Sequence, residues 1–402
     1  SASSVNLTAI VGWGGAFTLI SNSSVQFINV RFITNYATQG GSIYIVSNHS
    51  VTIDNCYFFG SNSSQGAGIW IMNSPSVTIT DSQFENNRAN RTGGAIWASA
   101  STFSIINSTF TRNVVSGGDG GAITFLNNAQ VDIQNSKFLN NSANNDGAAI
   151  YLNGGPDVVI HNSLFDWNFG GEGGAISCTD FTSLDLFDCI FTNNRAQAWG
   201  GAVYFQQAIG TFQNSFVKSN NAQQGGGGVA IWNEGEVAII NSNFSENYSQ
   251  RGGAFFLQYS SVLQVYNSSI QYNEADDNGG GIYCSDSVLY LNESTSLTNN
   301  ESPSASSTDL YCAEDIPYTY CKVRGVSNFT DVCKMPDEGG PSQKEYNTLI
   351  IIGAVIVGSA FLIGCSSFVI YFLDPDHRRQ QGFYWSAFKE DDNQDDAVPL
   401  PE

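Results

Sequence analysis

Short runs with apolar residues two apart recur along the chain, as in "SVTIDN", "SVTITD", "QVDIQN" and "EVAIIN". Spacing of two puts the valine and isoleucine of each run on one face of a β-strand. Each run leads to an apolar residue, and these line up as Phe32, Phe58, Phe84, Phe110, Phe138, Phe165, Phe191, Val217, Phe244, Ile270 and Leu297, 26 to 28 residues apart. Three positions later stands Asn35, Asn87, Asn113, Asn141, Asn168, Asn194, Asn220, Asn247, Asn273 or Asn300, with Ser61 the exception. Three positions earlier stands Asn29, Asn55, Asp81, Asn107, Asn135, Asn162, Asp188, Asn214, Asn241 or Asn267, with Ser294 the exception. A self-similar period of this length marks a repeat array. Short strands punctuated by Asn, Gly and Ser predict an all-β parallel β-helix, in which each coil pairs with the next. With coils about 4.8 Å apart, eleven of them make a rod roughly 50 Å long. An Asn at a fixed turn position then lies over its equivalent, and amides bond from coil to coil. Gly pairs such as Gly200 and Gly201 mark positions needing positive φ or close backbone approach.

A second pattern follows each Gly-Gly-Ala: an aliphatic residue, then usually an aromatic, then another apolar residue, as in "SIYI", "GIWI" and "AVYF". The flanking positions are expected to point inward and the middle one outward. That middle position holds Tyr44, Trp70, Trp97, Tyr151, Tyr204, Phe256, Tyr283 and Tyr311, with Thr124, Ser177 and Ile231 interrupting. Stacking makes these a candidate stripe along one face of the rod. It reads either as a self-stabilising aromatic ladder or as a platform for a glycan or protein ligand.

The paired motifs FxxN and GGA(I/L/V) read here as "FENN…GGAI", "FLNN…GAAI" and "FTNN…GGAV". Their repetition over roughly residues 11–312 resembles the repeats of the chlamydial polymorphic outer membrane proteins. The resemblance implies a right-handed β-helix displayed on a cell surface in an adhesive or recognition role. That family ends in a membrane β-barrel, whereas this chain carries one long apolar segment.

The segment, "LIIIGAVIVGSAFLIGCSSFVIYFL" from Leu349 to Leu373, is 25 residues without a charge. As a helix it measures roughly 37 Å, enough to span a bilayer. His377, Arg378 and Arg379 follow it, which places the C-terminus in the cytosol. The expected organisation is a β-helix over residues 1–317, a cysteine-containing cap and stalk over 318–346, a transmembrane helix over 347–373 and an acidic tail over 374–402. Small residues four apart, Ala354 with Gly358 and Ala360 with Gly364, suit helix pairing and hence a homo-oligomer. The chain opens at Ser1 without methionine or an apolar leader, so it reads as a mature or truncated product of a signal-bearing precursor.

Thirteen Asn-x-Ser/Thr sequons fit an ectodomain. Asn6, Asn22, Asn48, Asn62, Asn90 and Asn328 are the expected glycan acceptors. Asn107, Asn247, Asn267 and Asn300 occupy ladder positions and are expected to stay bare. Before residue 347 there are 28 acidic and 12 basic residues, a balance that excludes nucleic acid and an anionic membrane surface as partners.

Cys284 and Cys312 share one repeat position a coil apart, close enough for a disulfide. A bridge involving Cys321 and Cys333 would seal the end of the helix. Cys56, Cys178 and Cys189 read as buried thiols, or the last two as a bridge. Many β-helices are polysaccharide lyases or glycosidases, which need acids gathered on one face. The candidates are Asp276 with Asp277 in a turn, and Asp185 with Asp188. His49, His161 and His377 have no metal-ligand neighbours, and no Gly run is followed by the Lys-Ser/Thr of a phosphate loop. The sequence therefore predicts a non-enzymatic, cofactor-free and metal-free type I surface glycoprotein, with a membrane-tethered carbohydrate-active enzyme as the alternative.

Overall fold

The computed structural model of the protein describes residues 3–5, 12–20, 23–303, 309–313 and 321–325. The described residues all fall within Ser1–Pro336, and residues 337–402 lie outside them. So do the expected membrane span, the acidic tail, Cys333 and Cys365. Among the described residues no helix is long and apolar enough to cross a membrane.

One coil shows how the repeat is built. Ile96–Ser99, Thr102–Ile106, Thr109–Thr111 and Val114–Val115 are four successive strands. Each pairs in parallel with its equivalents in the coils before and after, giving four sheets, numbered 1 to 4 in that order. Among the described residues, sheets 1 to 3 have twelve strands each and sheet 4 has nine. The twelfth strand of sheet 3 is Ser3–Val5, whose Val5 pairs with Phe32, so the opening coil has a strand there without an FxxN motif.

The motif residues do distinct work. Phe32, Phe58, Phe84, Phe110, Phe138, Phe165 and Phe191 form one continuous stack through the core, with centroids 4.5 to 4.9 Å apart. Val217 interrupts it, and Phe212 from sheet 2 packs into the space, 6.1 Å from Phe191 and 5.7 Å from Phe244. Each such buried ring contributes about 1.5–3 kcal/mol by removal from water.

The asparagine three residues on is buried and bonds across three coils. Asn113 donates through Nδ2 to Asn141 Oδ1 at 3.1 Å and to the Phe84 carbonyl at 2.9 Å. Its own Oδ1 accepts from both the backbone N–H and Nδ2 of Asn87. At the top, Asp309 takes the place of the next asparagine and accepts both donors of Asn300. Near the bottom, Ser61 replaces asparagine, and Ser42, in place of the usual alanine, links Asn35 to it through two hydroxyl bonds.

The row three residues before each phenylalanine differs. Asn107 (φ 49°), Asn162 (φ 46°) and Asn267 (φ 46°) adopt the left-handed conformation that asparagine tolerates best, on exposed corners. The glycine pairs combine both expected roles. Gly200 has φ +66°, and a Cβ on Gly201 would stand 2.1 Å from the Gly227 carbonyl oxygen of the next coil.

The expected cysteine pairing is corrected. Cys284 bonds to Cys321, with Cα atoms 5.6 Å apart, and Cys312, itself disulfide-bonded, is not its partner. Cys284 and Cys312 are in register on neighbouring parallel strands, where Cβ bonds run side by side instead of converging. Cys321 sits one coil above Ser287 at the corner where the chain turns from sheet 1 to sheet 2, and the Cys284 sulfur lies 3.9 Å from the Ser287 carbonyl. Cys56, Cys178 and Cys189 are free and buried, so the 178–189 bridge does not form. Cys56 and Cys189 fill a row otherwise held by serines such as Ser82 and Ser215, whose hydroxyls accept their backbone N–H groups.

Candidate binding face on sheet 1

The outward row of sheet 1 runs Thr18, Tyr44, Trp70, Trp97, Thr124, Tyr151, Ser177, Tyr204, Ala230, Phe256, Tyr283 and Tyr311. It brings together all eight expected aromatics. The third interruption is Ala230, not Ile231, which points into the core. The run Gly225–Gly228 gives no unique frame, and a slip of one residue exchanges the two faces of a strand.

The row is not an open platform. Tyr44, Trp70, Trp97, Tyr204, Phe256 and Tyr283 are buried, while Tyr151 and Tyr311 are half-buried. Two second-layer cores explain this. Trp13, Tyr44, Trp70 and Trp97 stack at 5.2, 4.4 and 4.5 Å, flanked by Val46, Met72 and Leu126. Further along, Phe256, Tyr283 and Tyr311 stack at 4.9 and 5.3 Å. Trp199 and Trp232 pack beside Phe256, covering the gap left by Ala230, and the Arg251 guanidinium lies 5.4 to 5.7 Å from the Trp199, Phe256 and Tyr283 rings. The indole N–H groups of Trp70 and Trp97 are buried without a partner.

Between the two cores the chemistry changes. The residue before the positive-φ glycine of each turn forms a row beside the aromatic one, and over three successive coils it is Asp119, Asp146 and Glu172. Asp119 Oδ1 accepts the Asp146 backbone N–H at 3.2 Å, and Asp146 Oδ1 accepts that of Glu172 at 3.0 Å. All three are half-buried. Burial, with the neighbouring carboxylates adding to it, pushes Asp146 up to about 6 and Glu172 up to about 7. Burial also raises Asp119, opposed by the Asp146 N–H and the Asn145 side chain. The Tyr204 hydroxyl donates to Gln206 Oε1 at 3.5 Å, and burial raises both the Tyr151 and Tyr204 phenols. Ser177, between these tyrosines, is fully buried and its hydroxyl has no partner. Sequence reasoning passed over these acids, although "GGDGGAI", "NNDGAAI" and "GGEGGAI" place one before the turn glycine each time.

The acids singled out from sequence are placed elsewhere. Asp276 and Asp277 lie in the strand Glu274–Asn278 and not in a turn; both are exposed, and Asp276 accepts the Tyr248 hydroxyl at 2.6 Å. Asp188 is an exposed left-handed corner. Asp185, on sheet 2, is raised by burial while a Thr211 hydrogen bond opposes the shift, and the nearby His161 ring stacks on Phe187 at 4.9 Å. Among the described residues no group of three acids, histidines or cysteines is placed to hold a metal ion. Of the sequons, Asn48, Asn62 and Asn90 are exposed, whereas Asn6, Asn22 and Asn328 lie outside the described residues. Asn247 and Asn300 are buried in the ladder, as their position required. Asn107 and Asn267 are not shielded, because their row faces solvent; each amide donates to the coil below, to Asp81 and Asn241 respectively.

Comparison with known families agrees with this architecture. The right-handed β-helix region family matches residues 10–171 and 89–208, and the Chlamydia polymorphic membrane protein repeat matches residues 267–285. No curated protein and no solved structure matches the chain.

Proposed function

The chain belongs to the right-handed β-helix repeat proteins of the polymorphic-membrane-protein-like kind, and from that premise we propose that it is a cell-surface display rod acting in adhesion or recognition. The observation that carries the reading is the stack of parallel sheets whose periodically recurring residues are spent on coil-to-coil bonding. Every Asn of the inner row and every phenylalanine of the core stack holds the rod together, which leaves the outer faces to meet a partner. In this reading the chain is a type I single-pass glycoprotein, anchored by residues 349–373, with the β-helix outside the cell and the tail in the cytosol. It acts without catalysis, on a glycan or a protein of an opposing surface.

The test is expression of the full chain in a eukaryotic host. An antibody to the repeat region is expected to label unpermeabilised cells, and an antibody to residues 390–402 only permeabilised ones. Removal of N-glycans is expected to lower the apparent mass, and the expressing cells to gain adhesion to a glycan- or cell-coated surface. Labelling by the tail antibody on intact cells would overturn the topology. Surface expression without any gain in adhesion would overturn the role.

A further inference from the structure

We propose that one stretch of sheet 3 is the surface through which two copies of this chain pair, with their rods antiparallel. The first outward position of sheet 3 turns from Lys137 to Leu164, Ile190 and Phe216 over three successive coils, then back to Asn243. Ile190 is 42% exposed and Phe216 56%, so this is an apolar strip open to water and not a covered core like those on sheet 1. Apolar side chains in register on neighbouring coils form a patch, which single scattered ones do not. Trp167 follows Leu164 on the next corner, exposed and with φ 56°, where Asn86, Asn140 and Asn193 stand in other coils. Both its exposure and its left-handed backbone are unfavourable for a tryptophan in a lone chain.

The sequons avoid this stretch. None falls between Asn140 and Asn243, the widest interval in the chain. Residues 37–166 hold five sequons, from Asn48 to Asn140, and no exposed large apolar side chain. The sequon-free interval holds six of the twelve exposed among the described residues. Glycan acceptors and open apolar surface thus exclude each other along this part of the rod, as a face that must meet another protein requires.

The charges beside the strip select the occupant and its direction. The second outward position of the same three coils is Asp166, Thr192 and Lys218. Two copies packed face to face share a two-fold axis lying in the plane between their sheets. With that axis along the strands, Leu164 faces Phe216 of the second copy, Ile190 faces its equivalent, and Asp166 faces Lys218, twice over. With the axis along the rod the two positions exchange, so that Leu164 faces Asp166 and Phe216 faces Lys218. Only the first arrangement sets apolar against apolar and acid against base, and it makes the rods antiparallel. Both charges are within reach of a partner. One Asp166 oxygen accepts the Thr192 hydroxyl at 2.7 Å and the Asn193 amide at 2.9 Å, which leaves the other open, and Lys218 lies 3.1 Å from Glu246 at the surface. Three coils make a small contact, in the class of weak and transient interfaces. Resting on the display role proposed above, antiparallel rods carry their C-terminal ends in opposite directions, as copies on two opposing surfaces do.

The experiment is carbodiimide cross-linking and sedimentation of the purified full chain, in an equal mixture of unlabelled and isotope-labelled protein. Concentrations up to about 0.1 mM suit a weak interface. A mixed-isotope peptide joining Asp166 to Lys218 is expected, since only a contact between copies produces one. Ile190→Arg is expected to weaken self-association about tenfold or more, the effect of a charge buried at the centre of a contact. Ile209→Arg, at an equally exposed residue of sheet 2, is expected to leave it within about twofold. Asp166→Lys and Lys218→Glu are each expected to weaken it about tenfold, and together to restore it to within about threefold. Circular dichroism confirms that each variant is folded. Absence of self-association, association without the Asp166–Lys218 cross-link, equal loss from Ile209→Arg, or no rescue by the double variant would each overturn the pairing. Protein that pairs in this way on cells that do not adhere would count against display and for the pairing, so the two readings fail separately.

Discussion

At the scale of single residues, two asparagine rows of equal period have opposite energetics. Asn194 donates to Asn220 Oδ1 and to the Phe165 carbonyl, both at 2.9 Å, and its Oδ1 accepts two bonds from Asn168. Asn194→Ala orphans buried groups in three coils, and each orphan costs about 1–3 kcal/mol. We expect a loss of at least about 3 kcal/mol by urea denaturation. Asn241, exposed with its φ at 50°, donates an amide bond of 3.4 Å to Asn214 and accepts one of 2.8 Å from Asn267, both open to water, and Asn241→Ala is expected to cost about 1–2 kcal/mol, set by left-handed strain. Equal costs at the two sites would show that the inner ladder adds nothing beyond turn propensity. The inner row was legible in sequence because its spacing from the core phenylalanine is fixed. The solvent exposure of the outer row was not, since an amide one coil from another amide reads the same whether it faces the core or water. For that reason the glycan acceptors need rereading. Glycopeptide mapping is expected to find Asn247 and Asn300 bare, their side chains being buried, while Asn48, Asn62 and Asn90 carry glycan.

At the scale of elements, sheet 1 has a core on both faces for much of its length. The aromatic row was legible through its recurring position, but the residues that cover it were not. Trp199 and Trp232 reach it from neighbouring positions of the repeat, and nothing in their local sequence says which gap they fill. Trp97→Ser is therefore a packing change and not a probe of binding. It is expected to cost about 3 kcal/mol, the low end for a buried tryptophan, because the unpaired indole N–H disappears with the ring. The acid row between the two cores gives the sheet a pH dependence whose sign is set by burial. Asp146 and Glu172 titrate at about 6 and about 7 in the fold, above their unfolded values of about 3.9 and 4.3. The folded state thus holds protons that the unfolded chain has released. The contribution of these groups to stability is full below about pH 4 and is lost as pH rises through 6 to 7. Thermal melting of the wild type against Asp146→Asn with Glu172→Gln is expected to show the variant gaining on the wild type between pH 4 and pH 8. A difference constant with pH would mean that the carboxyls titrate as they do in the unfolded chain.

At the scale of the whole repeat unit, stability is close to one-dimensional, because each coil touches only its neighbours. In such an array opening begins at terminal strands, which are paired on one side only. The upper end is closed in two ways that the repeat itself does not supply. Asp309 terminates the asparagine ladder by accepting both donors of Asn300, and the Cys284–Cys321 bridge ties the last strand of sheet 2, Lys322–Arg324, to the coil beneath it. The bridge spans 37 residues, and a loop of that length contributes about 3–4 kcal/mol by restricting the unfolded chain. In a linear array this gain is felt locally before it is felt globally. Cys284→Ser with Cys321→Ser is therefore expected to speed amide exchange first at Leu310–Cys312 and Lys322–Arg324, then at Ile282–Cys284, while Ile96–Ser99 near the middle is unchanged. Uniform acceleration along the rod would mean that the unit unfolds as one cooperative block, and that its end has no stability of its own to lose.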